Sequence, residues 1–185
     1  AALRRDGADV IDLGCLPETP FAHLEDAVQA LKAAGYSVSV DSVDPQELLR
    51  GGRAGADYLL SLNEDSLWIA DEVAATPVLI PRTPGDEASL FRAIDAMSAK
   101  GRHFLADPIL DPIPFGFTAS IVRYHQLRQR YPDVAIMMGV GNLTELTDAD
   151  TTGITMILLA ACSELRIRNV LVVQVSPHCR RAVKE

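Results

Sequence analysis

Seven short apolar runs, at residues 8–13, 37–41, 57–62, 77–80, 103–106, 134–140 and 170–175, recur along the chain with helix-like stretches between them. Their length and β-branched content suit parallel strands buried on both faces. The first intervening stretch has Thr19 in N-cap position and Pro20 at the first helical position. It carries Phe21, Leu24, Val28 and Leu31 at helical spacing and stops at Gly35. Further helices are expected over about 45–50, 66–74, 86–99, 118–130 and 151–165. Regular alternation of strand and helix specifies a parallel α/β fold. No linker, low-complexity tract or charge block divides it, so residues 1–185 read as one domain, and 48% apolar composition is ample for a core.

Two architectures accommodate seven such strands: an open doubly wound sheet and a (β/α)8 TIM barrel. A doubly wound sheet concentrates ligand groups at one switch point, whereas a barrel gathers them at the C-terminal ends of many strands. Nearly every run here ends in polar or turn residues: Asp12, Asp41, Asn63, Arg82, Asp107, Asn142, then Ser176 and His178. The barrel is therefore expected. The opening Ala-Ala-Leu-Arg-Arg-Asp-Gly reads as the tail of a helix stopped at Gly7, so the first barrel strand is expected upstream, in a longer protein.

A net charge of −8 argues against a general nucleic-acid or anionic-membrane partner, and any anionic ligand needs a local cluster of donors. GVGNLT has threonine where a dinucleotide loop needs its third glycine, so no nucleotide cofactor is expected. Cys15, Cys162 and Cys179 lack the spacing of a zinc or redox pair and number an odd three, which suits a reducing cytoplasm. No apolar stretch is long enough for a spanning helix.

The ordered strand ends resemble the pterin-binding barrels, the family of dihydropteroate synthases and pterin-dependent corrinoid methyltransferases. DGADVIDLG is similar to that family's second strand, VSVDS to its third, LSLNEDS to its fourth, ADPILDP to its sixth and MGVGN to its seventh. GNLTELTDADTTG and QVSPHCRRAVKE are similar to the subgroup associated with tetrahydromethanopterin metabolism in archaea and methylotrophs. The resemblance implies that Asp41 and Asn63 lie along the polar edge of a pterin ring and that Asp107 accepts from its amino group and ring N–H. That role suits the residue types, because an amino-pyrimidinone edge presents donors beside acceptors. Asp111 repeats the Asp-Pro pattern, but Asp107 directly follows the apolar run. Asn142 and His178 would stand nearer the reacting end as catalytic residues, with Arg82, His178 and Arg180 as anion donors.

A dihydropteroate synthase displaces diphosphate from a pterin methylene with an arylamine, a reaction that calls for Arg, Lys, His and Mg²⁺ around the departing polyanion. Here GCLPETP lacks the expected arginine and Asn142 stands where the family has lysine. The resemblance thus implies a synthase-like enzyme of tetrahydromethanopterin or folate-type biosynthesis, with a pterin and an arylamine as small-molecule partners and a homodimer as a compatible assembly. The alternatives are a pterin-dependent methyltransferase and a noncatalytic pterin-binding module. Glu145, Asp148 and Asp150 form an acidic cluster read as helix-entry capping ahead of a metal site. Trp68 and Tyr124 are read as packing residues. His23, His103 and His125 are read as structural, and Cys15 as an unactivated thiol at a strand mouth.

Overall fold

The structure, a computed structural model, describes residues 2–145, 147, 151–173 and 183. The seven expected strands are all present, in two compact units. One unit comprises Ala1–Arg82 and Ala88–Phe104, the other Thr83–Glu87 and Leu105–Glu185.

In the first unit, a short helix α1 (Ala2–Arg5) ends where Gly7 takes a φ of 107°, the left-handed turn anticipated for that glycine. Then β1 (Val10–Gly14), β2 (Ser37–Asp41), β3 (Tyr58–Leu62) and β4 (Thr76–Leu79) follow in spatial as well as sequence order, all parallel. Helices α2 (Leu24–Ala33), α3 (Pro45–Arg53) and α4 (Ile69–Glu72) form the crossovers, and α5 (Glu87–Ala99) follows β4. Val38, Val40, Leu59, Leu62, Val78 and Leu79 are buried from the strands, with Leu24, Val28, Leu48, Ile69, Leu90 and Ile94 buried from the helices. Each βαβ crossover shields strand backbone that a parallel sheet cannot leave open to water.

Helix α2 begins later than Thr19 and Pro20 suggest. Glu47, buried on α3, accepts the Phe21 N–H through Oε1 at 2.8 Å, and Arg50 Nη2 donates to the Phe21 carbonyl at 3.2 Å. Both backbone groups of Phe21 are thus taken by side chains of α3. The helix starts at Leu24 with His23 as an N-cap that makes no side-chain capping bond. Asp44 caps α3 in the ordinary way, accepting from Gln46 N–H at 2.8 Å ahead of Pro45. Trp68 precedes α4 and is 44% exposed, so it does not serve as the core residue expected of it.

Two glycines inside α3 set how closely it lies on its neighbours. A Cβ at Gly51 would stand 2.8 Å from Val40 Cγ2 on β2, and one at Gly52 2.9 Å from Val73 Cγ2. Both valines are β-branched and buried, with little freedom to move aside. Gly51→Ala is expected to lower stability by roughly 1 kcal/mol net. Overpacking typically costs about 1–3 kcal/mol and outweighs the ~1 kcal/mol that alanine adds in helix propensity. A urea midpoint equal to or above that of the wild type would refute the close approach.

In the second unit, β5 (Leu105–Ala106) is bridged in parallel fashion to the chain entering the next strand, at Ala106 and Ile136, and β6 (Met137–Gly139) pairs parallel with β7 (Asn169–Leu171). Helix α6 (Phe117–Arg130) joins β5 to β6. The one-turn α7 (Gly141–Thr144) and then α8 (Thr151–Glu164) join β6 to β7. Met138, Val140, Leu143, Tyr124, Leu127 and Leu158 are buried here. Strand β6 is shorter than the expected run: the Val134 carbonyl goes to the Arg128 guanidinium at 2.9 Å, and Val140 already has the helical backbone that opens the next element. Gly141 is buried, and a Cβ there would approach Val173 Cγ1 to 3.3 Å. Its smallness therefore admits Val173 at close range.

Candidate functional site

In the first unit the strand ends carry a linked set of polar groups. Asp41 closes β2, half-buried, and its carbonyl accepts Cys15 N–H at 2.8 Å. Asn63 follows β3, the neighbouring strand, so these two candidate residues end adjacent parallel strands. Asn63 Oδ1 accepts Asp65 N–H at 2.9 Å, the turn-capping role common for Asn after a strand. Its Nδ2 makes no hydrogen bond among the described residues and remains available as a donor.

Behind Asp41, Ser42 Oγ donates to Glu47 Oε2 at 2.6 Å. The Phe21 N–H and the Ser42 hydroxyl together hold the Glu47 carboxyl below its ordinary range. Burial, reinforced by Glu47, pushes the Cys15 thiol up to about 12. The thiol is therefore held neutral and unactivated at neutral pH, which agrees with the sequence reading. One strand over, Ser39 Oγ donates to Asp12 Oδ1 at 2.5 Å, and burial raises that carboxyl despite the bond.

Arg82, just past β4, is 50% exposed and lies 3.5 Å from Glu64 Oε1. Glu64 also takes a two-pronged contact from Arg92 at 2.7 and 2.9 Å. Two guanidinium groups thus converge on one carboxylate at this strand end.

In the second unit, Asp107 directly follows β5 and is 5% exposed. Tyr124, fully buried on α6, donates its hydroxyl to Asp107 Oδ1 at 2.5 Å, and Ile109 N–H donates to the same oxygen at 2.8 Å. Both donors use one oxygen. Asp107 Oδ2 has no hydrogen bond among the described residues, and no buried side-chain oxygen there is left unsatisfied, so Oδ2 keeps a small exposed surface. Burial raises the Asp107 carboxyl to about 6, with the Tyr124 hydroxyl, the Ile109 N–H and the Arg123 charge opposing.

Asp111 has a different environment. Arg123 Nη2 pairs with its Oδ2 at 2.6 Å while the same guanidinium donates to the carbonyls of Pro108 and Ile109. Asp111 thereby clamps the loop after β5, leaving Asp107 as the carboxylate with an open oxygen. Asn142 stands in α7 rather than at a strand end, and its Nδ2 donates to Leu110 O at 3.3 Å. Gly139 makes room for it, since a Cβ there would lie 3.0 Å from Asn142 Oδ1. Asp107 and Asn142 are thus joined through one loop.

His178 and Arg180, with Asp148 and Asp150 of the acidic cluster, lie outside the described residues. Among the described residues no group of three His, Cys, Asp or Glu side chains is placed to hold a metal. No described helix is long and apolar enough to cross a membrane. A cavity of about 250 Å³ lies at the N-terminal ends of β6 and β7, beside Arg128, Arg166 and Asn169, at the end of the strands away from Asp107. The contribution of Tyr124 escapes the sequence reading, because helical spacing marks it for packing and only the fold reveals its hydroxyl's partner.

No protein-family model matches the chain. It is 30% identical over 202 aligned positions to an uncharacterized protein of Methanocaldococcus jannaschii, covering 97% of this chain and 38% of that one. Thus the chain spans well under half the length of its curated relative. Among solved structures it is similar to dihydropteroate synthase of Thermus thermophilus, in complexes with 6HMPPP and with 4-aminobenzoate. The identity is 19% and the TM-score 0.71, covering 99% of this chain and 84% of the synthase. Dihydropteroate synthase of Coxiella burnetii with pteroic acid gives 16% identity and a TM-score of 0.71, over 99% of this chain and 80% of that one. The α/β architecture and these likenesses bear out the fold expected from the strand ends: the chain has the barrel fold of the dihydropteroate synthases.

Proposed function

We propose that the chain is the pterin-binding part of a dihydropteroate synthase-like transferase, one that joins a hydroxymethylpterin diphosphate to an arylamine in tetrahydromethanopterin or folate-type cofactor synthesis. The observation that carries this reading is Asp107, a buried carboxylate held through one oxygen with the other open. A pterin offers an amino group and a ring N–H to such an acceptor. The free Nδ2 of Asn63 and the position of Asp41 beside it suit the roles that the resemblance assigns to them. Ligands in the similar solved structures, 6HMPPP, 4-aminobenzoate and pteroic acid, fit the same substrate classes.

In the proposed reaction the arylamine nitrogen attacks the pterin methylene, the bond from that carbon to the diphosphate oxygen breaks, and the amine loses a proton. Charge builds on the departing diphosphate. Arg82, which converges with Arg92 on Glu64, is the described candidate to stabilise it, together with His178 and Arg180. Mg²⁺ would come bound to the diphosphate oxygens, as this ion commonly does with phosphate substrates.

A pterin-dependent methyltransferase is the second reading. It is favoured by Ile113 and Phe115, 53% and 77% exposed in the loop after β5, an apolar surface of the kind a corrinoid-carrying protein would cover. Calorimetric titration with 6-hydroxymethylpterin diphosphate, the corresponding alcohol and a methylated tetrahydropterin separates the two. The synthase reading expects the diphosphate to bind at least about tenfold more tightly than the alcohol in the presence of Mg²⁺. Preference for the methylated compound would replace it with the methyltransferase, and absence of binding to any of the three would end both.

A further inference from the structure

Tyr124 is a tyrosine whose ring fills the core of the second unit and whose hydroxyl has a specific destination. A phenylalanine would pack equally well, so the hydroxyl needs another explanation. It donates to Asp107 Oδ1, the oxygen already taken by Ile109 N–H, and so holds that oxygen from two sides while leaving Oδ2 without a hydrogen-bond partner among the described residues. We infer that Tyr124 is a positioning residue that holds Asp107 ionised and turned so that Oδ2 alone meets the N–H groups of the ligand. The inference rests on the pterin reading for the identity of that ligand.

The charged and titratable groups around the pair support this division of labour. Arg123, next to Tyr124 on α6, favours the charged form of Asp107, but its guanidinium is committed to Asp111 and to two loop carbonyls. Cys162 on α8 is close enough to act electrostatically on the Tyr124 hydroxyl. Its thiol is itself raised to about 11 by burial and stays neutral. The Tyr124 hydroxyl is raised well above its ordinary value, with burial the largest cause and Asp107 adding to it, so it keeps its proton and remains a donor throughout the working range. It is thus the one side-chain donor on Asp107 among the described residues. Without it, burial acts on the carboxylate opposed only by the Ile109 N–H and the Arg123 charge.

The test uses Tyr124→Phe, which removes the hydroxyl alone, and follows two readouts. Carboxyl ¹³C resonances of the free protein report the titration of Asp107, identified by the signal lost in Asp107→Asn. Calorimetry with 6-hydroxymethylpterin reports binding from pH 5 to 8, a range spanning the ionisation of Asp107. Wild-type binding is expected to weaken as pH falls and Asp107 takes up its proton. In Tyr124→Phe the midpoints of both readouts are expected to move upward by about one to two pH units, the size of one lost hydrogen bond to a charged group. Incorporation of 3-fluorotyrosine, a stronger donor, should move them the other way, a sign that a purely structural role for the ring does not produce. An Asp107 titration unchanged in both variants overturns the inference. Wild-type protein that binds no pterin at any pH refutes the functional reading instead, and the carboxyl titration still decides the role of Tyr124.

Discussion

Asp107→Asn is expected to stabilise the protein at pH 7 by roughly 2 kcal/mol while weakening its pterin binding by up to about 100-fold. The stability effect follows from the raised titration of the carboxyl, from the ordinary value of 3.8 to about 6. A carboxylate raised by folding is protonated more readily in the folded than in the unfolded state. Its ionisation therefore costs nothing below the unfolded value, and the cost grows as pH rises from about 4 to about 6, then stays constant. At ~1.4 kcal/mol per unit, the full penalty is on the order of 2–3 kcal/mol at neutral pH. Asparagine retains an Oδ1 acceptor for Tyr124 and Ile109 and removes the charge. Urea midpoints for the two proteins should nearly coincide at pH 4 and diverge in favour of the variant by pH 7. Binding suffers because the open position would then carry an NH₂ donor opposite ligand donors, costing about 1.5–3 kcal/mol, or ~10–100-fold. A variant that is no more stable than the wild type at pH 7, or that binds as tightly, contradicts the account of Asp107.

Arg128→Met should change stability more than Asp107→Asn and in the opposite direction, a loss of roughly 3 kcal/mol or more. The buried Arg128 guanidinium donates to Pro132 O at 2.7 Å, Leu165 O at 2.8 Å and Val134 O at 2.9 Å, with longer contacts to Tyr131 and Arg166 carbonyls. It gathers the chain entering β6 and the chain entering β7 around one cation. Methionine replaces most of the volume but leaves several carbonyls without a donor, each costing about 1–3 kcal/mol where water does not reach it. Arg128→Lys should recover only part of the loss, because an ammonium cannot fork in a plane to carbonyls on two segments. A denaturation midpoint for Arg128→Met corresponding to a loss below about 1 kcal/mol would show that water replaces the guanidinium readily.

The strands are legible because apolar runs of four to seven residues bounded by polar or turn residues announce themselves locally, and Ser37–Asp41 is read to the residue. Departures arise where a distant side chain intervenes. The start of α2 depends on Glu47 and Arg50, which lie 26 and 29 residues from Phe21. At the entry to β6 the Val134 carbonyl goes to Arg128 instead of to a neighbouring strand. At the candidate site, residue type and position after a strand single out Asp107 as a candidate, but not which of its oxygens is spoken for. That depends on Tyr124, 17 residues further on. Asn142 stands out by its position beyond a buried run. Its attachment to Leu110 O needs the folded loop.

Glu47 has a chemical consequence beyond setting where a helix begins. With the neighbouring thiol pushed up to about 12, Cys15 carries almost no thiolate at neutral pH. Peroxide and electrophilic reagents act on the thiolate, so burial, reinforced by a carboxylate whose visible task is to hold backbone in place, makes Cys15 a poor target for oxidation at neutral pH. Cys15 is therefore expected to be alkylated slowly by maleimide or iodoacetamide at pH 7, and faster as pH rises toward the value of its thiol.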